Sequence, residues 1–375
     1  VFQVKKGIKM KKRIFPICFM VVSCFLIGAC KSGRPDSQKV DLTSVPLATI
    51  IQNAQEEGII ESVGMPANWA NWGASWFALD HKYGIKHNDI DLSSAEEIST
   101  FEVERYSPTK DIGDVGYSFG KIVVEKDLVQ AYKASVWESI PSWAKDPQGR
   151  WVVSYTGTIS LITNTKLVKD APRRWSDILD GDYKITPGDV VRGASSQMAV
   201  LSAALAFGGS LENVQPGIDF FVNLAKEGRI DPGEISEGRM AKGEVAVGLH
   251  FDFAGLSWRE SIGEINPDLM VETHIPQDGA VQSGYCLIIN KYAPHPYAAA
   301  LAVEYMLSDE GQIDRANGFA RPIRSDVKIP DEIQAKLIPD VEYQNVYTSS
   351  DIDAINKACS EISRLWEEEV IPNMK

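Results

Sequence analysis

The segment Ile-Ile-Glu-Ser-Val-Gly-Met-Pro at residues 59–66 is typical of a β-strand that ends in a turn. A helix is predicted over residues 73–83, ending before Gly84, because glycine is the usual residue just beyond a helix C terminus. The sequence Ser-Ser-Ala-Glu-Glu at residues 93–97 contains two overlapping capping boxes, which predict another helix start. Similar strand and helix patterns alternate through segments 151–164, 183–186, 195–207, 217–226, 244–249 and 284–290. This alternation predicts an α/β fold built in layers.

The composition is that of a globular protein, with 375 residues of which 44% are hydrophobic and 24% charged. A chain of this length has room for two domains that each bury a core. The formal net charge of -13 repels the phosphate backbone of nucleic acids. We therefore expect no nucleic-acid partner, and we expect a monomer.

The first thirty residues have the pattern of an export signal. Six basic residues precede an apolar run over residues 14–29 that ends in small side chains. The sequence Leu-Ile-Gly-Ala-Cys at residues 26–30 resembles the lipobox of bacterial lipoproteins, in which the cysteine is lipidated. We expect an exported protein whose contact with the membrane is a lipid on Cys30, at its periplasmic or outer face. Ordinary secretion with cleavage elsewhere is the alternative.

Several longer segments resemble the solute-binding proteins of ABC importers, in particular the two-lobed branch that includes polyamine, ferric-ion and thiamine binders. The most specific are Ile-Asn-Lys-Tyr-Ala-Pro-His-Pro-Tyr-Ala-Ala-Ala at 289–300, Tyr-Met-Leu-Ser-Asp-Glu-Gly-Gln at 305–312 and Gly-Phe-Ala-Arg-Pro-Ile-Arg at 318–324. Residues 155–164 are similar to the family's first strand between lobes, and residues 111–119 to a loop that lines its cleft.

This resemblance implies a type II-like periplasmic-binding-protein fold, with two α/β lobes, two hinge crossings and a ligand between the lobes. It implies a receptor that delivers a small solute to a membrane permease and that needs no cofactor. The crossings are expected near residues 153–159 and 277–285. The expected organisation is a signal peptide at 1–29, a lipidated tether at 30–44, lobe 1 at 45–155 plus 278–325, lobe 2 at 156–277, and a C-terminal helical segment at 326–375 packed on the lobes.

The loop after the first strand is a candidate part of the cleft. Asn68, Trp69 and Trp72 offer an amide and two indoles that suit a flat or cationic solute. Trp69, Trp72 and Trp76 are also spaced as one helical face of a core. We assign Trp76 to the core, and Trp69 and Trp72 to the cleft.

Two further segments offer either a cleft contact or a local structural role. Tyr117 and Ser118 lie in a segment that is also a simple turn between glycines. Asp189, Arg192 and Ser195 precede or begin an alanine-rich helix whose N terminus suits an anion, although Ser195 could instead be a plain N-cap.

The remaining candidates lie near the predicted crossings and after an apolar strand. Asp252 lies between two phenylalanines, an arrangement suited to an amine; a helix N-cap or an ion pair with Arg259 is the alternative. The residues on the crossings, which contact either the ligand or only the hinge, are Thr156, Thr158, Ser283 and Tyr285.

Gly-Tyr-Ser-Phe-Gly at residues 116–120 matches the nucleophile elbow of serine hydrolases, with Asp252 and His274 or His295 downstream. An elbow needs a buried apolar strand before it, and the polar residues of segment 111–114 argue against such a strand. A secreted serine hydrolase using Ser118 is therefore the alternative of another class. The histidine and aspartate spacings match no metal-site motif, so no metal is expected.

The ligand class depends on which of these residues act together. Aromatic rings with Asp114, Asp189 and Asp252 favour an organic cation such as a polyamine. We expect Trp69, Trp72 and Tyr117 to hold it from one lobe, and Asp189 and Asp252 from the other. Arg192 and the helix start at Ser195 favour a phosphate- or phosphonate-bearing anion instead.

The lipobox makes a direct prediction. Replacing Cys30 by serine removes the thiol that would carry the lipid, so Cys30→Ser should release the protein from membranes into the soluble fraction. Cell fractionation and metabolic labelling with palmitate measure this. A variant that still fractionates with membranes as the parent does would contradict the lipobox assignment.

Overall fold

The computed structural model describes residues 40–375. The predicted signal peptide and Cys30 lie outside the described residues, as does most of the predicted tether. Within residues 40–375, no helix is both long and apolar enough to cross a membrane.

One mixed sheet connects the whole described chain. Its main order is β2-β1-β3-β9-β5-β7-β6, while β4 and β11 pair with β9, and β8 and β10 pair with β5. The strands are β1 (Ile59–Val63), β2 (Lys86–Ile90), β3 (Ile112–Gly116), β4 (Val129–Gln130), β5 (Val152–Asn164), β6 (Ile185–Thr186), β7 (Val247–Phe251), β8 (Val271–His274), β9 (Ala280–Asn290), β10 (Arg321–Pro322) and β11 (Val346–Tyr347).

Helices pack around this sheet. They are α1 (Leu47–Glu57), α2 (Trp72–Tyr83), α3 (Ser94–Val103), α4 (Gly120–Glu125), α5 (Trp175–Leu179), α6 (Ala194–Ala206), α7 (Gln215–Lys226), α8 (Glu237–Ala241), α9 (Asp252–Ile265), α10 (Pro296–Leu307), α11 (Asp309–Asn317), α12 (Asp331–Gln334) and α13 (Ile352–Leu365). The predicted α/β class is confirmed. Trp76 is buried and donates its indole N–H to the Met65 carbonyl, which confirms its place in the core.

Two long strands link the two halves of the sheet. The first part of β5 pairs with β9 and β10, and its second part pairs with β7 and β8. The first part of β9 pairs with β11 and β5, and its second part pairs with β3. The segments predicted as crossings lie largely on β5 and β9. Elsewhere in the sheet, β1 pairs in parallel with both β2 and β3.

The C-terminal segment contacts elements on both sides of the linking strands. Helix α13 packs on α6 and on the 3₁₀ turn Tyr117–Phe119, and the π-helical turn Trp366–Val370 packs on α7. Asp353 forms an ion pair with Lys121, and Gln197 donates to the Ser363 hydroxyl at 3.0 Å. This segment therefore bridges the two halves of the molecule outside the sheet.

A glycine in β5 permits close packing at the linking strands. A Cβ atom on Gly157 would lie 2.6 Å from Cε1 of Phe253, a buried ring that packs against Phe251. The side chain of any other residue would have to displace this ring.

We predict that Gly157→Ala lowers the free energy of unfolding by about 1–3 kcal/mol, because it overpacks this contact. The matched control is Gly263→Ala in α9, where a Cβ would meet no atom within 4 Å. That change should stabilise the protein by about 0.5–1 kcal/mol through helix propensity. Urea denaturation measures both, and equal effects of the two changes would contradict the packing argument.

Candidate functional site

A cavity of about 350 Å³ lies between the two halves of the molecule. One wall comes from the chain after β1, the segment from Asp91 to Glu97, and Asp114 near the end of β3. The opposite wall comes from the chain before α6 and from Glu234 and Ile235. Tyr285 of β9 completes the lining. The ends of strands and the start of a helix thus meet at one site, as is usual for ligand sites in α/β proteins.

A buried carboxylate forms the most polar point of the first wall. Asp114 is 1% exposed, and its Oδ2 atom accepts hydrogen bonds from the Tyr155 hydroxyl at 2.6 Å and from Trp72 Nε1 at 3.1 Å. Its Oδ1 atom is buried and has no hydrogen-bond partner among the described residues. Burial raises the pKa of Asp114 to about 7, although both hydrogen bonds act in the opposite direction. One oxygen is therefore held in place and the other is unsatisfied.

Aromatic rings surround this carboxylate. Trp69 donates from Nε1 to the Tyr155 hydroxyl at 2.6 Å, which continues the hydrogen-bond chain to Asp114. Trp69 and Tyr285 both line the cavity, with ring centroids 5.5 Å apart and an angle of 75° between the planes. Tyr285 stacks in turn on Tyr155. The cavity therefore combines a buried carboxylate with the faces and edges of electron-rich rings.

A second buried carboxyl group in the lining, Glu97, contacts the backbone of Asp114. Its Oε2 accepts a hydrogen bond from the Asp114 backbone N–H at 3.0 Å. Burial and the neighbouring Asp114 raise the pKa of Glu97 well above its usual value, which favours the neutral acid. Gly64 leaves room for it, since a Cβ there would lie 2.3 Å from Glu97 Oε1. The sequence indicated a capping role for Glu97, but the capping box forms from Ser93 and Glu96 alone.

The opposite wall is the start of α6. Its N-cap is Gly193, which has no side chain to occupy the first N–H groups. The suggestion that Ser195 is the N-cap is therefore wrong, because it lies inside the first turn. Ser195 and Ser196 both line the cavity, and neither hydroxyl makes a hydrogen bond to another described residue. The helix thus presents unoccupied N–H and O–H donors to the cavity.

Arg192 lies at the rim rather than inside the cavity. Its Nε donates to Asp189 Oδ2 at 2.6 Å, and its Nη1 lies 3.5 Å from Glu96 Oε1 on the other wall. The side chain is 58% exposed. Arg192 therefore links the two walls through carboxylates and is not a free cation for a ligand.

Five of the sequence-predicted site residues line the cavity, and eight do not. Those in the lining are Trp69, Asp189, Arg192, Ser195 and Tyr285. Those outside the lining are Asn68, Trp72, Tyr117, Ser118, Thr156, Thr158, Asp252 and Ser283. Trp72 still contributes indirectly, because it is fully buried and donates to Asp114.

Asp252 holds the linking strand instead of facing the cavity. It is 1% exposed, and its two oxygens accept from Thr158 N at 3.0 Å and from the Tyr343 hydroxyl at 2.6 Å. It is the first residue of α9 and not its N-cap, and Arg259 donates elsewhere, to the Lys336 carbonyl. The other crossing residues stay within the sheet: Thr156 pairs with Gly284, and Ser283 with Gly157.

Tyr117 and Ser118 lie beneath α13. The Tyr117 hydroxyl donates to the Trp143 carbonyl at 3.1 Å. Ser118 is 4% exposed and hydrogen-bonds with the Cys359 thiol. The expectation that no buried strand precedes this motif is wrong, because β3 is buried throughout and leads directly into the turn. A serine nucleophile of this kind needs a histidine base, and among residues 40–375 no hydrogen bond joins Ser118 to a histidine.

Other cavity residues were missed by sequence reasoning. Asp91 was considered only among the aspartates that match no metal-site motif, and Glu234 had no pattern that marked it. Tyr155, which lies outside the lining but donates to Asp114, was noted only as part of a family motif. Asp114 was named only as a possible charge. Within residues 40–375, no group of three or more histidine, cysteine or acidic residues is arranged to hold a metal ion.

Comparisons with known proteins agree with this architecture. The model of the family "Bacterial extracellular solute-binding protein" matches residues 107–347. A putative 2-aminoethylphosphonate-binding periplasmic protein of Salmonella typhimurium is 26% identical over 279 residues, covering 69% of this chain and 77% of the relative.

Solved structures show the same fold. The periplasmic binding protein AfuA from Actinobacillus pleuropneumoniae, with exogenous fructose-6-phosphate bound, has a TM-score of 0.68 and 19% identity over 84% of this chain and 98% of its own. Iron-bound HitA from Pseudomonas aeruginosa has a TM-score of 0.65 and 18% identity over 83% and 98%. The chain therefore has the two-lobed periplasmic-binding-protein fold and belongs to the family of bacterial extracellular solute-binding proteins, the receptors of ABC importers.

Proposed function

We propose that this receptor captures a small zwitterion that carries both an ammonium group and a phosphonate, such as 2-aminoethylphosphonate, and delivers it to an ABC permease. The observation that carries the proposal is the Oδ1 atom of buried Asp114, which has no hydrogen-bond partner in the described part of the chain. A buried carboxylate oxygen without a donor is costly, and a ligand ammonium group would satisfy it.

The first wall suits the ammonium end. Asp114 supplies the opposite charge, and Trp69 and Tyr285 supply ring surfaces beside it. A desolvated cation between a carboxylate and aromatic rings gains about 2 kcal/mol or more from the rings alone. Glu97 adds no competing negative charge while it remains protonated.

The second wall suits the phosphonate end. The first turn of α6 offers N–H groups that lack a side-chain cap, and Ser195 and Ser196 add two hydroxyl donors. The positive end of the helix dipole favours an anion at this place. The two walls face each other, so one short ligand with opposite charges at its ends can contact both.

The relatives support this ligand class, since the curated relatives are named for 2-aminoethylphosphonate binding. A phosphate ester occupies the similar AfuA structure. The proposal keeps the amine that the sequence predicted, and it assigns the counter-charge to Asp114 instead of Asp252.

A polyamine is the second candidate. Asp91 and Glu234 line the cavity in addition to Asp114, and burial together with Asp89 and Glu234 raises the pKa of Asp91. These carboxylates outnumber the single arginine, so a second ammonium group could replace the phosphonate as the contact across the cavity.

The proposed organisation places the hinge in β5 and β9. Lobe 1 would comprise residues 45–155 and 278–325, and lobe 2 residues 156–277, with the C-terminal segment 326–375 packed on both. We propose that lipid on Cys30 holds the exported receptor at the membrane near its permease. Two acyl chains or more make such anchoring durable.

Calorimetry with matched ligands tests the ligand class. We predict that 2-aminoethylphosphonate binds at least tenfold more tightly than ethylphosphonate, which lacks the amine, because about 1.4 kcal/mol of the ammonium contact corresponds to a factor of ten. Asp114→Asn should remove this preference while leaving ethylphosphonate binding nearly unchanged. Asp146→Asn is the matched control, because Asp146 is a buried carboxylate outside the cavity lining and bound by Arg150.

The same titrations distinguish the second candidate. Tight binding of spermidine or putrescine, with no measurable binding of 2-aminoethylphosphonate, would replace the zwitterion by a polyamine. If Asp114→Asn changes the affinity for none of these ligands, both candidates are overturned.

The raised pKa of Asp114 predicts a pH dependence. Because the ammonium needs the ionised carboxylate, affinity for 2-aminoethylphosphonate should fall as the pH drops through about 7, approaching tenfold per pH unit below it. In Asp114→Asn only the dependence due to the phosphonate, whose second ionisation lies near pH 6 for comparable phosphates, should remain. Calorimetry between pH 5.5 and 8.5 measures this, and a parent protein with no loss of affinity at low pH would contradict it.

A further inference from the structure

Arg315 of α11 is a buried cation that lies behind the cavity. It is 0% exposed, and its guanidinium carbon lies 3.8 Å from the centroid of the Trp72 ring. Among residues 40–375, no carboxylate oxygen forms an ion pair with it within 4.0 Å, and its Nε and Nη1 atoms have no hydrogen-bond partner. Burial lowers the pKa of Arg315 to about 10, so it remains charged at neutral pH. Burying a charged group away from water is costly unless other contacts offset that cost.

The hydrogen bonds of Arg315 hold a strained loop. Its Nη2 donates to the Asn71 carbonyl at 2.9 Å and to the Ser75 hydroxyl at 2.5 Å. Ala70 and Asn71 both adopt left-handed conformations, with φ of 43° and 56°. Non-glycine residues in this region cost about 1 kcal/mol or more each and persist only where surrounding contacts impose them.

This loop carries the two indoles of the site. Trp69 precedes the strained pair and lines the cavity, while Trp72 follows it and donates to Asp114. Asn71 is fixed further by its side-chain amide, which donates to the Asp314 carbonyl at 3.0 Å. The position of both indoles therefore depends on α11, an element that contributes no residue to the cavity lining.

The charge of Arg315 also acts on Asp114. Burial is the main influence on this carboxyl and raises its pKa, and the hydrogen bonds from Tyr155 and Trp72 lower it. Arg315 lowers the same pKa further, and Asp89 raises it. The other titratable groups that face Asp114 are Glu97 on α3, and Tyr285 and Cys286 on β9. Arg315 is thus a positive charge that favours the ionised form of Asp114, whereas the other groups named here are acidic or neutral.

We propose that Arg315 is a positioning residue of the ligand site, which fixes the Trp69–Trp72 loop through Asn71 and supports Asp114 through Trp72 without touching the ligand. The predicted effect of Arg315 on ligand affinity rests on the proposed function, in which Asp114 receives the ammonium group. Its predicted effect on the pKa of Asp114 does not depend on the identity of the ligand.

Titration of the ligand-free protein tests the charge effect. The carboxyl carbon of Asp114 is followed by NMR in protein labelled with ¹³C-aspartate, with Asp114→Asn for assignment. Arg315→Met should move the titration midpoint upward, because it removes a positive charge that lowers the pKa of Asp114 and the ring contact that holds its donor Trp72. Arg315→Lys keeps the charge and should leave the midpoint nearly unchanged. Arg229→Met is the matched control, since Arg229 is a buried arginine that bonds Ile178 and Tyr183 carbonyls away from the cavity.

Binding measurements test the loop effect. At pH 7, Arg315→Met should weaken 2-aminoethylphosphonate binding about tenfold and ethylphosphonate binding less than twofold. Arg315→Lys lacks the planar guanidinium that lies over the Trp72 ring, so it should lose several-fold in affinity with an unchanged Asp114 midpoint. A solely structural role would lower the melting temperature in all arginine variants and would not move the Asp114 midpoint.

The outcomes separate this inference from the proposed function. A folded Arg315→Met protein with the parent midpoint overturns the charge effect. If Arg315→Met does not fold, Arg315→Lys decides, and parent-like binding by that variant overturns the positioning role. If the parent does not bind 2-aminoethylphosphonate but the midpoint moves as stated, the proposed ligand is wrong and the role of Arg315 stands.

Discussion

The hydrogen bond from Tyr155 to Asp114 is the interaction on which the rest of the site depends. It joins β5, which links the two halves of the sheet, to Asp114 of β3, which lines the cavity. Because Tyr155 also accepts a hydrogen bond from the Trp69 N–H, one short chain of hydrogen bonds connects a linking strand, a carboxylate and an aromatic ring of the cavity. This chain occupies Oδ2 and leaves Oδ1 unsatisfied. A buried acceptor without a hydrogen bond costs free energy, so binding a ligand that donates to Oδ1 is favoured.

The site collects several unfavourable features that the core must offset. Two consecutive left-handed residues, Ala70 and Asn71, lie in the loop, and Arg315 is buried beside it with no ion pair to another residue in the range 40–375. Glu97 is buried as a carboxyl group whose raised pKa opposes ionisation. Each of these departs from what local propensity or solvation would favour, and such departures concentrate at functional sites. Under the proposed function, their common effect would be to hold Asp114 and the surrounding rings in one geometry before a ligand binds, which reduces the ordering that binding must impose.

The sequence predicted those parts of the molecule that depend on local pattern. Alternating strand and helix signals gave the α/β class, and the loop after β1 and the start of α6 were recognised because ligands commonly bind at the ends of such elements. It could not show that Tyr343 reaches Asp252, or that α13 covers Tyr117 and Ser118, because these contacts join residues far apart in the chain. Glu97 illustrates a different limit: its capping-box spacing was genuine, but Glu96 satisfied the cap and left Glu97 for Asp114. Local patterns identify what a residue can do, and tertiary packing selects among these roles.

The ion pairs at the edge of the cavity are too weak to hold the two lobes together, which bears on how ligand binding relates to lobe closure. Arg192 spans the cleft between Asp189 and Glu96, but it is largely exposed, and exposed ion pairs contribute only about 0–1 kcal/mol. Such a contact cannot hold two lobes together alone. Because Asp114 lies on one wall and the α6 donors on the other, a ligand that contacts both adds the free energy that the rim lacks. A solute satisfying only one wall would bind without linking the lobes. Since a ligand shifts a conformational equilibrium only by its differential affinity for the two states, selection among solutes and stabilisation of the closed receptor depend on the same contacts.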